Sequence, residues 1–326
     1  MTRRKFLTQA AGMAAGVAGL PHLAMAQAEP YPARPIKIIL GSPPGAMTDT
    51  SARLAAEVLG RNLGTTVVEN MPGANASIAA RAVARARPDG YTLLNYYSDQ
   101  MLVLPLVLKD RPYDPINDYA HIITTVKSGG FILAVPPSSP AKTWAEFEAL
   151  ARSGKPLNYG TYGIGSSVHL GFEILNERWG SKMQHIPYKG GGPSYQAAMA
   201  GEVDIVAGTS FVELLKGGRL RPLAIGGRDR SPDFPAIPTL AELGMGDLLF
   251  GPVFYGVAAP KGTPPEILEK ISAAIARGAA TPEYAARLKP VAHEPFIQRP
   301  AETLAQIRRG QDAYRPVVQK LNVSIE

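Results

Sequence analysis

The 326-residue chain contains no cysteine, which excludes disulfides, thiolate metal sites and a lipid-anchored N-terminal cysteine. It also lacks any apolar run of ~18 residues, so no segment reads as a bilayer span. Charged residues make up only 19% of the chain and aromatic residues 7%, while 45% is hydrophobic. That balance is too apolar for disorder, and the length suits two ordinary domains. Basic residues are scattered. Their tight groups, "GGRLRPL" at Gly217 to Leu223 and Arg308-Arg309, carry no interleaved stacking aromatics, which argues against a nucleic-acid surface. The five histidines, His22, His121, His169, His185 and His293, show no metal-ligand spacing, and neither a G-x-S-x-G elbow nor a Walker loop is present. A Ser166 or Ser167 nucleophile with His169 as base would be the best hydrolase reading, but nothing marks a third member. The sequence therefore reads as a non-enzyme without a cofactor.

What is present begins with an export signal over residues 1–26. "TRRKFL" supplies paired arginines, Ala10 to Leu20 is small and apolar without a charge, and "AMA" at Ala24 to Ala26 offers small residues for cleavage before Gln27. The arginine pair fits a twin-arginine signal and equally an ordinary signal peptide that holds two arginines. The expected location is the periplasm. Loss of Arg3, Arg4 and Lys5 with no acid lowers the net charge from +7 to about +4, a mild surplus that favours anionic ligands.

The mature chain repeats a strand, loop, helix rhythm. Ile36 to Leu40, Thr66 to Glu69 and Tyr91 to Asn95 are short apolar or β-branched runs, separated by helical patterns over Asp49 to Asn62 and Ser77 to Ala86. This βαβ order implies a parallel sheet with helices on its faces. A second block follows the run "FILAVPP" at Phe131 to Pro137. "TWAE" at Thr143 to Glu146 has capping-box spacing, and Leu157 to Tyr159, Met183 to Ile186, Val203 to Val206 and Leu220 to Ile225 read as strands. The block closes at "FGPVFYGVAAP", Phe250 to Pro260, and helical stretches follow over Pro264 to Ala279 and Pro300 to Gln319. Two bridging runs in a duplicated α/β rhythm predict two lobes crossed twice by the chain, one of 27–130 plus 251–326 and one of 131–250, with a cleft between them.

Each lobe carries one glycine-bearing turn from a strand into a helix: "GSPPGAMTD", Gly41 to Asp49, and "NYGTYGIGSSVHLGFEIL", Asn158 to Leu175. Such turns offer unpaired N–H groups and a positive helix end, and small residues let a ligand approach the backbone. Facing each other across a cleft, two such ends suit a carboxylate without an arginine.

These residues carry a resemblance. "YPARPIKIIL" with "PPGAMTD", "VVENMPGA", "PDGYTLL", "PYDPINDYA", "NYGTYGIGSSVHL", "HIPYKGGGPSYQAAMAGEVD", "RSPDFPAIPTLAELG" and "APKGTPPE" occur in that order and cover essentially the whole mature chain. The chain resembles the exported solute receptors of tripartite tricarboxylate transporters, the Bug or TctC family. The resemblance implies a monomeric periplasmic-binding-protein fold of two α/β lobes that closes like a Venus flytrap on a small carboxylate. It also implies delivery to a permease of one large and one small integral subunit, or, as in some relatives, sensing for a membrane kinase.

Carried over by residue, Gly45, Ala46, Met47, Thr48 and Asp49 match the first binding loop, and Gly165, Ser166, Ser167 and His169 the second. Tyr96, Tyr97 and Ser98 lie at the end of the third strand, facing the cleft on a parallel-sheet argument, and Tyr162 lies near the strand ends. Tyr188 and Asp204 match second-lobe positions, Asp204 serving equally as a structural residue that fixes a loop. Asp49 fits a helix N-cap as well as a ligand-positioning role, and His169 fits a structural histidine. Two departures stand out. The family reads P-P-G-G-G-T-D where this chain has Ala46 and Met47, and its frequent F-D-N is replaced by Ala207, Gly208 and Thr209. A lost acid and an added apolar side chain lean away from amino acids. With Tyr96, Tyr97 and Tyr162 as a wall, they lean toward an aromatic carboxylate or dicarboxylate, with an aliphatic di- or tricarboxylate as the alternative.

Overall fold

A computed structural model describes residues 30–248 and 250–325; the export signal and its cleavage position lie outside them. The strands are β1 Ile36–Leu40, β2 Thr66–Asn70, β3 Thr92–Tyr97, β4 Tyr119–Ser128, β5 Ile132–Val135, β6 Asn158–Thr161, β7 Gln184–Pro187, β8 Ile205–Gly208, β9 Arg221–Ile225, β10 Phe254–Pro260 and β11 His293–Gln298. The helices are α1 Met47–Asn62, α2 Ser77–Ala84, α3 Ser98–Leu102, α4 Leu104–Val107, α5 Trp144–Arg152, α6 Ser167–Trp179, α7 Gly191–Ala200, α8 Val212–Lys216, α9 Pro265–Ala279, α10 Pro282–Leu288 and α11 Pro300–Leu321.

Two open sheets result among the described residues, one in the order β11-β4-β10-β3-β1-β2 and one in the order β7-β6-β8-β5-β9. β1 lies between parallel β2 and β3. Its side chains other than Lys37 are buried, as befits a strand covered on both faces. The βαβ order does make β1, β2 and β3 parallel, but the sheets as a whole are mixed. β10 pairs antiparallel with both β3 and β4, and β5 pairs antiparallel with β8 and β9. These are the strands that directly follow a passage from one sheet to the other, so they enter without a crossover helix to reverse their direction.

The helices start where their caps dictate. Thr143 Oγ1 accepts from Glu146 N at 3.3 Å, and the Glu146 carboxylate accepts from Lys142 N at 2.6 Å. Ser166 Oγ accepts from His169 N at 3.2 Å at the head of α6, which ends on Gly180 at φ +64°. The apolar cluster of Phe131, Phe172, Phe250 and Tyr255 also holds Leu54 and Val58 of α1, so the two halves share one core. Leu170 of α6 packs into the cluster of α11 residues Ile307 and Tyr314.

Candidate functional site

β1 ends at Leu40 and the chain turns through residues 41–46 into α1. Gly45 has φ +85° with open space where a Cβ would sit. Its N–H donates to Asp49 Oδ2 at 3.0 Å, Arg53 Nε donates to the same oxygen at 3.0 Å, and Asn70 Nδ2 donates to Oδ1 at 2.9 Å. Burial pushes the Asp49 carboxyl up, but the bonds from Arg53, Gly45 and Asn70 outweigh it and leave it below its ordinary value. Asp49 is thus occupied in holding the loop. Ala46, at the N-cap, has no side-chain acceptor to offer, so the first N–H groups of α1 are left for an outside acceptor. The Thr48 carbonyl is fixed by Asn95 Nδ2 at 3.2 Å. Met47 is half-buried against the shared apolar cluster, as are Tyr97 and Tyr162.

The second loop leaves β6. Gly165 has φ +72°, and its N–H donates to His169 Nδ1 at 3.1 Å. Ser166 Oγ donates to Gly163 O at 2.8 Å. Tyr162 OH donates to Asp99 Oδ2 at 2.6 Å, and Ser167 N donates to the same oxygen at 2.8 Å. Asp99, on α3 of the first-sheet half, is only 2% exposed; burial pushes its carboxyl up, although the Ser167 and Tyr162 bonds pull the other way. Sequence reasoning missed this residue. Its only local signal is an acid in the first turn of a helix that follows β3.

A third segment joins the loops. Ala74, Asn75 and Ala76 take φ of +43°, +50° and +70° in succession, a left-handed run that costs about 1–2 kcal/mol per residue and that structures retain where function needs it. Ala76 packs on Gly41 so closely that a Cβ on that glycine would lie 2.2 Å away. Gln100 Nε2 donates to Ala76 O at 3.0 Å, and Asn75 Nδ2 reaches across to Ile164 O at 3.0 Å. The first loop, residues 73–76 and the second loop are therefore contiguous. Asn75 was not among the expected site residues.

The aromatic residues divide by strand alternation. Tyr97 faces the shared cluster, and Tyr162 stacks on Phe131 at 6.3 Å between ring centroids. Tyr96, expected on the cleft wall, is corrected to a core residue. It is fully buried, its ring meets His121 edge-on at 5.6 Å, and a Cβ on its strand neighbour Gly256 would lie 2.5 Å from its hydroxyl. Asp204 is likewise placed away from the loops. Its Oδ2 accepts from Asn158 N at 2.7 Å and its N–H donates to Asn158 O at 2.8 Å, at the start of β6 rather than at the end that leads into the second loop. Ser98 is buried at the head of α3, and Tyr188 follows edge strand β7, its ring against the Tyr195 and Phe211 cluster.

His169 is not poised as a base. Its ring stacks on His185 at 4.0 Å, and His185 Nε2 lies 2.7 Å from Thr161 Oγ1. Burial lowers His169 to about 4; burial and then the neighbouring His169 lower His185 to about 3. Burial also lowers His293 to about 4. Groups depressed in the folded state stabilise it above their unfolded value near 6.5, and that stability is lost as pH falls toward the folded values. Unfolding free energy is therefore expected to fall from pH 6.5 to 4 by up to about 1.4 kcal/mol per pH unit for each such histidine. Asp99, shifted upward, acts in the opposite sense, so the clean readout is a comparison: denaturant titrations of His169→Gln should show a slope shallower by about one proton. An unchanged slope would mean His169 is charged in the fold.

Among the described residues no His, Asp and Glu group is placed to hold a metal ion, and no helix is long and apolar enough to cross a membrane. A groove of about 190 Å³ between α1, α9 and α10 is lined by Glu57, Arg61, Glu283 and Arg287. It lies along the C-terminal half of α1, away from the loops, and its charges pair with one another.

The family model for the tripartite tricarboxylate transporter family receptor, TctC, matches residues 51–323. A protein encoded in the gbd 5' region of Cupriavidus necator is 37% identical over 334 aligned positions, covering 99% of both chains. A solved structure of a periplasmic transporter superposes with a TM-score of 0.83 at 33% identity, covering 91% of this chain and all of the other. Rpa4515 of R. palustris, solved with adipate, superposes with a TM-score of 0.83 at 27% identity over 90% of this chain and 99% of its own. With two open α/β sheets, two glycine-bearing loops held together at the helix heads and a family match across most of its length, the chain belongs to the TctC family of tripartite tricarboxylate transporter receptors.

Proposed function

We propose that the protein is a periplasmic receptor that closes two lobes, 27–130 with 251–326 and 131–250, on a small carboxylate and delivers it to a membrane permease of one large and one small integral subunit. The observation that carries this reading is the head of α1: an N-cap alanine without an acceptor, beside a loop whose own carboxylate is already bound to Arg53 and Asn70. A ligand carboxylate at that end completes the unpaired N–H groups and meets the positive end of the helix dipole. Adipate in the R. palustris relative supports the ligand class. Gly45, Met47 and Thr48 form the grip; Gly165, Ser166, Ser167 and His169 shape the opposite loop. Closure presents a loaded shape that a permease can read.

Met47, Tyr97 and Tyr162 on one apolar cluster favour a ligand with a flat ring, since aromatic packing gains about 0.5–1.5 kcal/mol beyond area burial. A thermal-shift screen of aliphatic and aromatic carboxylates tests the reading, because a ligand that binds only the folded state raises the melting temperature. Met47→Gly should then cost an aromatic ligand about 1 kcal/mol or more of lost contact and leave a short aliphatic one nearly unaffected. Equal losses for both, or tight succinate binding with no response to benzoate, would reverse the choice in favour of an aliphatic acid.

A further inference from the structure

The second loop is clasped from outside its own half. It leaves β6 of the second sheet, yet its ends and its middle are held by residues of the first-sheet half. Asn75 Nδ2 donates to Ile164 O at 3.0 Å, a solvent-exposed bond. Gly165 lies against Val107 and Ile325, so closely that a Cβ there would stand 2.8 Å from Val107 Cγ2. Ser167 N and Tyr162 OH both donate to Asp99 Oδ2, at 2.8 and 2.6 Å. The socket is itself braced. Ile325 N donates to Val107 O at 2.9 Å and Lys109 N to Ile325 O at 3.1 Å. Gln100, next to Asp99 on α3, holds Ala76 O beside Asn75 at 3.0 Å, so one short helix anchors both of the side chains that grasp the loop. The left-handed run 74–76 is the kind of strain that persists where surrounding contacts over-determine it.

We propose that this socket is the latch of lobe closure: Asp99 and Asn75 clasp the second loop, and opening the lobes breaks their three hydrogen bonds together. The latch rests on the receptor reading, in which the two halves move as lobes, and deepens it by naming what holds them shut. Asp99 works through an acceptor oxygen and touches no ligand. Bonds between neutral donors and an acceptor are exchanged for bonds to water when the loop leaves, so each contributes modestly and the latch is reversible. Asp99 is almost completely buried without a cation beside it, and its carboxyl regains water on opening. That gain opposes the clasp and keeps it from locking.

The chain has no cysteine, so a pair of introduced ones carries spin labels without background. Arg81→Cys on α2 and Lys182→Cys before β7, both exposed, report the distance between the halves by pulsed electron paramagnetic resonance. The otherwise natural protein should show mainly a short distance. Asp99→Leu keeps a branched side chain and removes the acceptor, and should move most of the population to a longer distance. Asp99→Asn retains an acceptor oxygen and should stay short. Asn75→Gly keeps the left-handed backbone and removes only the side chain at an exposed bond; it should raise the long-distance fraction at least about threefold. If Asp99→Leu fails to fold, Asn75→Gly decides alone. Unchanged distributions in the folded variants would show a fixed seam and overturn the latch, as would an Asp99→Asn shift equal to that of Asp99→Leu. These distances need no ligand, so they leave the receptor reading to the thermal-shift screen. A screen in which no carboxylate raises the melting temperature would overturn that reading whatever the distances show.

Discussion

Gly226→Ala is expected to destabilise the protein by about 3 kcal/mol or more, at the upper end for overpacking, without any change in a ligand contact. The chain passes between the sheets at 129–131 and 250–253, and these passages lie backbone against backbone with residues 226–227. Gly226 N donates to Phe131 O at 2.6 Å, Phe131 N to Phe250 O at 3.1 Å and Ser128 N to Val253 O at 2.8 Å. A Cβ on Gly226 would sit 1.8 Å from Phe250 O, and one on Gly130, at φ +121°, would sit 1.9 Å from Gly226 O. Backbone cannot yield as a flexible side chain does, so the segments must separate. Urea denaturation gives the stability change directly; a loss below about 1 kcal/mol, the ordinary scale of a single substitution, would show that the crossover has slack.

Gly165→Val is expected to remove ligand binding and to lower stability by roughly 2–4 kcal/mol, from left-handed strain and overpacking together. From the loop alone, bulk at this position threatens only the ligand. In the structure, however, a Cβ there would approach Val107 Cγ2 to 2.8 Å and Ile325 Cδ1 to 3.7 Å, so the loop is also a packing surface for the first-sheet half. The substitution displaces the Gly165 N–H from His169 Nδ1, and with it the turn that positions Ser166 and Ser167. Gly45→Ala is the control: its φ is +85° but nothing stands within 4 Å of its Cβ, so the cost there is backbone strain of about 1–2 kcal/mol. Equal effects of the two substitutions would contradict the difference in their surroundings.

The strands that run as short apolar stretches were legible because burial on both faces writes a continuous hydrophobic word: Ile36–Leu40 was read to its ends, and Trp144–Arg152 was legible from its capping spacing. β4 and β11 were not, since "HEPFIQ" interrupts any pattern with proline and charge and gains its strand conformation from pairing with β4. The direction of β10 was illegible for the same reason, as it depends on which strands lie beside it. At the site, the two glycine-bearing loops were legible because left-handed turns and helix heads need particular residues locally. Tyr96 and Tyr97 are adjacent and chemically alike, and only strand alternation separates the fully buried ring from the one packed on the shared cluster. Asp99 could not be found from sequence. Its role arises from a contact with Ser167, 68 residues away in the chain, and nothing around "SDQ" announces it. Asn75 was hidden in the same way, its partner Ile164 lying 89 residues further on.

The most direct test of the account is calorimetric titration of the natural protein with acids and their primary amides, benzoate against benzamide and hexanoate against hexanamide. The amide keeps the size and planarity of the acid but replaces one charged acceptor oxygen with a neutral NH2 donor. If the head of α1 grips a carboxylate through backbone N–H groups, two charge-assisted bonds of about 1.5–3 kcal/mol each predict that the acid binds at least about 100-fold tighter than its amide. Equal affinity for acid and amide would contradict it.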